Sequence, residues 1–110
     1  MGDMFRGGMS LPGPITGIRV SRPLAMLAAT SEVVTLKAVA PLDRLIRPRH
    51  LPRADVVAVV VAAAGLGYSE VDFHTRSHEI FTFWTKAGDE LSRRLTGLGY
   101  PVKNPLSRDG

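Results

Sequence analysis

The chain has 110 residues, 45% of them hydrophobic, with a formal net charge of +4 and a pI near 10.1. That is one domain, since halves would be too small to bury a core unaided, and it is too apolar for a disordered chain. Cysteine is absent, which excludes disulfide frameworks, thiolate metal sites and cysteine nucleophiles.

The basic balance is carried mostly by arginine, and it suits weak attraction to nucleic acid or anionic membrane. A GC-rich genome gives the same Arg, Ala, Gly and Val bias without selection for binding. The first 14 residues, MGDMFRGGMSLPGP, hold no continuous apolar run and do not read as a secretory signal. Rich in Gly, Pro and Met, they are expected to form a flexible tail, and Met1, Met4 and Met9 leave the start open. The longest apolar run, Val56 to Leu66, is shorter than the roughly 18 residues that span a bilayer. The expectation is a cytoplasmic protein, with peripheral attachment to the membrane as the alternative.

Ile15 to Val20 suits a short strand, which Pro23 interrupts. Leu24 to Ala29 alternates Leu24, Met26 and Ala28 against Ala25, Leu27 and Ala29. After a turn at Thr30, Ser31 and Glu32, Val33 to Val39 alternates Val34, Leu36 and Ala38 against the rest, so the two read as a hairpin. Residues 40–53, with three prolines and four arginines, read as a loop or irregular edge anchored by Leu42, Leu45 and Ile46. Ala54 to Ala64 mixes helix-favouring alanines with stiff β-branched valines; its length and the glycines Gly65 and Gly67 favour a buried strand and turn.

Tyr68 to Thr75 alternates Val71 and Phe73 against Glu70, Asp72 and His74. A turn at Arg76 and Ser77 leads to Glu79 to Thr85, with Phe81 and Phe83 opposite Ile80, Thr82 and Trp84; this register would place His74 near Glu79. A helix follows, with Thr85 as N-cap, Asp89 and Glu90 early, and Arg93 and Arg94 late. Leu91, Leu95 and Leu98 make its apolar stripe, Gly97 or Gly99 its C-cap, and Pro101 ends it. Residues 104–110 are expected to be a C-terminal tail. The elements together describe a mainly β fold with one C-terminal helix.

This pattern resembles the pleckstrin-homology-like (PH-like) superfold, most closely its small bacterial members. The resemblance rests on Arg22-Pro-Leu-Ala-Met-Leu27 opening the first hairpin, on Phe83-Trp84-Thr85 closing the second strand pair, and on the Leu98 to Val102 end of the helix. It covers residues 15–103 and implies a bent antiparallel barrel or sandwich of about seven strands, capped by the helix. It also implies ligand binding by loops or an edge strand, without catalysis. Two departures stand out. The first hairpin turn lacks the basic residues of lipid-binding members, which argues against specific phosphoinositide recognition. Trp84 precedes the helix, where eukaryotic members carry a tryptophan inside it.

The residues are compatible with three functions. The first is a protein-binding module using a sheet edge or loops, which includes self-association by strand pairing. The second is a peripheral module that holds anionic lipid or nucleic acid on Arg44, Arg47, Arg49, His50 and Arg53, whose arginine forks suit phosphate and carboxylate. Nucleic acid is the weaker of those ligands, because no aromatics are interleaved with the arginines. The third and last-ranked is a metal-dependent enzyme using His74 and His78 with a carboxylate from Glu70, Asp72 or Glu79, which a strand-and-turn spacing does not favour. The preferred reading names no catalytic residue, cofactor or metal. The glycine pairs Gly65/Gly67 and Gly97/Gly99 read as turn and helix-end residues, and Phe73, Phe81, Phe83 and Trp84 read as core.

Overall fold

The computed structural model of the chain describes residues 3–13 and 17–103. The expected strand start at Ile15, Met1 and the tail at 104–110 lie outside the described residues. Among the described residues the strands are β1 (Asp3–Leu11), β2 (Ile18–Ala29), β3 (Val33–Ala38), β4 (Arg49–Pro52), β5 (Val56–Gly65), β6 (Tyr68–Thr75), β7 (Ile80–Thr85) and β8 (Val102–Lys103), with one α-helix, α1 (Gly88–Gly97), before β8. They form one eight-stranded sheet in the order β4-β3-β2-β1-β7-β6-β5-β8. Every neighbouring pair is antiparallel except β5–β8. The sheet curls into a half-barrel, and α1 packs against it through β6 and β8.

The core follows from strand alternation. Leu27, Leu36, Val59, Val71, Phe73 and Phe83 are fully buried on the concave face, and Leu91 and Leu95 of α1 close it. Burying those two helix leucines contributes about 3–6 kcal/mol before entropy. Leu98 packs at the rim. The valine-rich run is extended throughout β5, with Val56, Val59 and Val61 inward. Leu42 and Ile46 anchor the 40–48 segment as expected, but Leu45 points to solvent.

The amino-terminal segment is not a tail. It supplies β1, which lies between β2 and β7 at the centre of the sheet and sends Phe5, Met9 and Leu11 into the core. Its glycines, which read as flexibility, are a packing requirement. A Cβ on Gly7 would overlap the Trp84 carbonyl oxygen, and one on Gly8 would lie 3.0 Å from the Val20 carbonyl. Opposite Gly8, β2 bulges: Val20 pairs with Met9 and Ala25 with Gly7, so Ser21 to Leu24 loop outward. This is where Pro23, which lacks an N–H for the ladder, is tolerated.

The turns refine the register. Leu66 and Gly67 join β5 to β6, both at positive φ (56° and 81°), which is the type I′ geometry of a two-residue hairpin. The β6–β7 turn is one residue longer than expected, covering Arg76, Ser77 and His78, with His78 at φ 68°. The Thr75 N–H therefore donates to the Glu79 carbonyl (3.1 Å) and His74 pairs with Ile80 instead.

Thr85 is not the N-cap of α1. Ala87 holds that position, and the Thr85 hydroxyl accepts the Ala87 N–H at 3.1 Å. At the other end Gly99 (φ 94°) makes the left-handed turn. Its N–H donates to Thr96 and that of Tyr100 to Leu95, which is the Schellman pattern.

Candidate functional site

The arginine-rich segment does not converge. Arg44 lies in a 3₁₀ turn (Leu42–Arg44) and Arg47 beyond it, both exposed. Arg49 and His50 leave β4 on opposite faces. Arg49 Nη2 donates to the Pro12 carbonyl at 3.3 Å and the guanidinium lies 5.8 Å from the Phe81 ring centre. His50 Nδ1 is 3.1 Å from Thr35 Oγ1. Arg53 reaches the turn after α1, beside Gly99 and Tyr100. These residues occupy several separate surroundings, so the segment offers no single anion cradle.

The sheet edges differ in what they offer. The Arg53 N–H donates to the Glu32 carbonyl at 2.8 Å, so by alternation Leu51 and Arg49 also face β3. His50 and Pro52 face outward, and Pro52 has no N–H, which leaves His50 as the outward donor of a four-residue strand. Such an edge is a poor template for strand addition. On β5 the Val59 N–H donates to the Pro101 carbonyl at 2.9 Å, and pairing with β8 covers only Val59 and Val60. By the same alternation Val61 and Ala63 turn their backbone groups to that side; the Val60–Lys103 register takes up the Val61 N–H, and no described strand pairs with Ala63.

His74 and His78 do not share a site. The first lies within the ladder, opposite Ile80 on β7 and Ala58 on β5, and the second occupies the left-handed turn position. Among the described residues, no three of His, Asp and Glu come together so as to hold a metal ion.

The densest grouping of chemistry lies elsewhere, on the convex face around the end of β7. Alternation that buries Phe81 and Phe83 sends Trp84 outward, where it is half-buried rather than core. Its indole N–H donates to Glu70 Oε1 at 3.2 Å, and the Arg19 guanidinium lies 5.0 Å from its ring centre. Beside it, two cations lie over the Tyr68 ring: Arg22 at 3.7 Å and Lys86 at 5.3 Å from the ring centre. Arg22 comes from the β2 bulge, where Ser21 to Leu24 have no partner in the β1 register.

Two open cavities flank Arg22. One, about 490 Å³, is lined by Arg6, Arg22, Tyr68, Lys86 and Glu90 together with apolar residues including Met4. The other, about 460 Å³, is lined by Arg19, Arg22, Ala64 and Trp84 among others. Burial, the neighbouring Asp72 charge and its hydrogen bond raise the Glu70 carboxyl above its ordinary 4.5, and the indole N–H partly opposes them.

The sequence held one signal for this site. An aromatic at the outward position of a strand whose other face is already apolar has no core place to fill. The bulge that delivers Arg22 and the centrality of β1 had no such signal. No protein-family model matches the chain, and no curated protein matches it significantly.

Proposed function

We propose that the chain is a non-catalytic, cytoplasmic binding module, PH-like in fold and akin to small bacterial members, that engages an anionic partner through the Arg19–Trp84 and Arg22–Tyr68–Lys86 surface. The observation that carries this is the pair of cations, Arg22 and Lys86, over the one Tyr68 ring. Ring contacts hold three long cationic side chains in place before any ligand arrives, which lowers the ordering cost of binding. Tryptophan, tyrosine and arginine are also the residues that dominate binding energy at interfaces.

The test is retention on immobilised heparin as a generic polyanion. Arg22→Ala/Lys86→Ala should elute at distinctly lower salt than wild type. The equal charge loss Arg44→Ala/Arg47→Ala should shift elution much less. Equal shifts would show a diffuse charge effect and sink the reading.

A second reading, a protein segment or second copy added by strand pairing, is favoured by the Ala63 backbone groups on the outer side of β5, opposite which no described strand pairs. It predicts a concentration-dependent rise in molar mass, or a bound partner, that Ala63→Pro abolishes.

A further inference from the structure

We propose that the β5–β6 hairpin is a membrane-insertion device, with Leu66 entering the apolar layer of an anionic bilayer while Arg22, Lys86 and Arg19 engage the headgroups. This rests on the anionic-partner reading and gives that partner its identity.

Leu66 is 88% exposed and sits at φ 56°, in a turn whose geometry favours Asn, Asp or Gly. In the free protein it has neither a comfortable backbone nor apolar contacts to offset that. The glycines on either side face open space, since a Cβ built on Gly65 or Gly67 would meet nothing within 4 Å. The tip therefore stands clear of the body of the molecule. From Val56 to Ser69 the chain carries no charged residue.

Behind the tip the chemistry is layered. Tyr68 follows two residues after Leu66, with Arg22 and Lys86 over its ring. Ala64, two residues before Leu66, lines the cavity shared by Arg19, Arg22 and Trp84. Apolar tip, amphipathic rings, then cations is the order a leaflet presents from acyl chains through the interface to phosphates. The acids nearby are Glu70, engaged with the Trp84 indole, and Glu90, which lines the same cavity as Arg6, Arg22 and Lys86, so cations outnumber acids there. A projecting tip suits a fluid layer, where a protein partner would need a matching pocket. Binding should depend on headgroup charge rather than on one headgroup's stereochemistry, and a single inserted leucine makes it reversible.

The experiment uses the full chain with vesicles of phosphatidylcholine alone and of equal parts phosphatidylcholine and phosphatidylglycerol. Sedimentation and the emission of Trp84, the single tryptophan, are the readouts. Wild type should bind the anionic vesicles, ignore the neutral ones, and dissociate as salt rises. Leu66→Asn should lower partitioning on the order of tenfold, yet melt at a higher temperature and keep wild-type retention on heparin. Arg22→Ala/Lys86→Ala should weaken both vesicle and heparin binding. Wild-type vesicle binding by Leu66→Asn would overturn insertion. Retention on heparin with no binding to anionic vesicles would overturn the bilayer while leaving the anionic-partner reading intact. Failure on both supports would overturn the two together.

Discussion

The Tyr100 hydroxyl donates a 2.7 Å hydrogen bond to the Thr30 carbonyl, tying the turn after α1 to the first hairpin across 70 positions of sequence. The ring itself is buried. Tyr100→Phe keeps the packing and removes the bond, so it should cost about 1 kcal/mol in urea unfolding. Burial raises the phenol above its ordinary 10.0, with Arg53 opposing. Because the neutral phenol is the form the fold prefers, its contribution is intact below pH 10 and falls away as pH rises through the higher folded value. The wild-type stability curve should therefore drop more steeply above pH 10 than that of Tyr100→Phe.

Gly7→Ala should be severe. A methyl there meets backbone, the Trp84 carbonyl, which cannot rotate away. We expect a loss of at least about 2 kcal/mol and a change in Trp84 emission as β1 and β7 part. Full stability in this variant would show that β1 is not seated as described.

Leu66→Asn should stabilise the protein by about 0.5–1 kcal/mol, because asparagine adopts the left-handed conformation more readily than leucine and no packing is lost. Thermal melts of the two proteins side by side check this. A destabilised variant would mean that the leucine makes contacts in solution.

Glu70→Gln removes a carboxylate whose charge is disfavoured by burial and by Asp72, while an amide oxygen can still accept the Trp84 indole N–H. A raised carboxyl pKa means the folded state binds the proton more tightly, so at neutral pH the ionised Glu70 is a burden that acid relieves. The variant should be more stable than wild type at pH 7, with the gain vanishing as pH falls below the ordinary value of 4.5. Chemical denaturation at pH 7 and pH 4 gives the comparison.

Leu95→Ala opens a void where α1 meets the sheet. The side chain is fully buried, and such truncations cost about 2–5 kcal/mol. Circular dichroism with urea titration should show one cooperative transition shifted to lower denaturant.

Much of the architecture was legible because burial on one face imposes a period of two. The pairs Phe81/Phe83 and Val71/Phe73, the Val34/Leu36/Ala38 face and the Leu91/Leu95 stripe all point where their spacing said they would. Gly7 and Gly8 concealed β1, since glycine reads as disorder locally and its necessity arises only from the backbones that press on it. Among the described residues the sheet has eight strands, and the short β8 pairs in parallel, a pairing no local pattern signals. The site was hidden for a related reason. Arg19, Arg22, Tyr68, Trp84 and Lys86 come from three separate stretches of chain, and one of them, Arg22, sits in a bulge. The five residues Arg44, Arg47, Arg49, His50 and Arg53 are close in sequence, but strand alternation and turns send them apart.

The strand order also divides the sheet in a simple way. Residues 3–52 supply β4-β3-β2-β1 and residues 56–103 supply β7-β6-β5-β8, so each half is contiguous in the chain. Among the described residues, strand pairing between the halves runs along β1 and β7 at Gly8–Trp84, Met9–Phe83 and Ser10–Thr82, and side chains such as Tyr100 on the Thr30 carbonyl add to it. A chain cut at the Arg53–Asp55 connection would yield two fragments, each carrying its own set of local hairpins. Mixed together, they should reassemble along the β1–β7 seam, with Trp84 on that seam reporting the reunion.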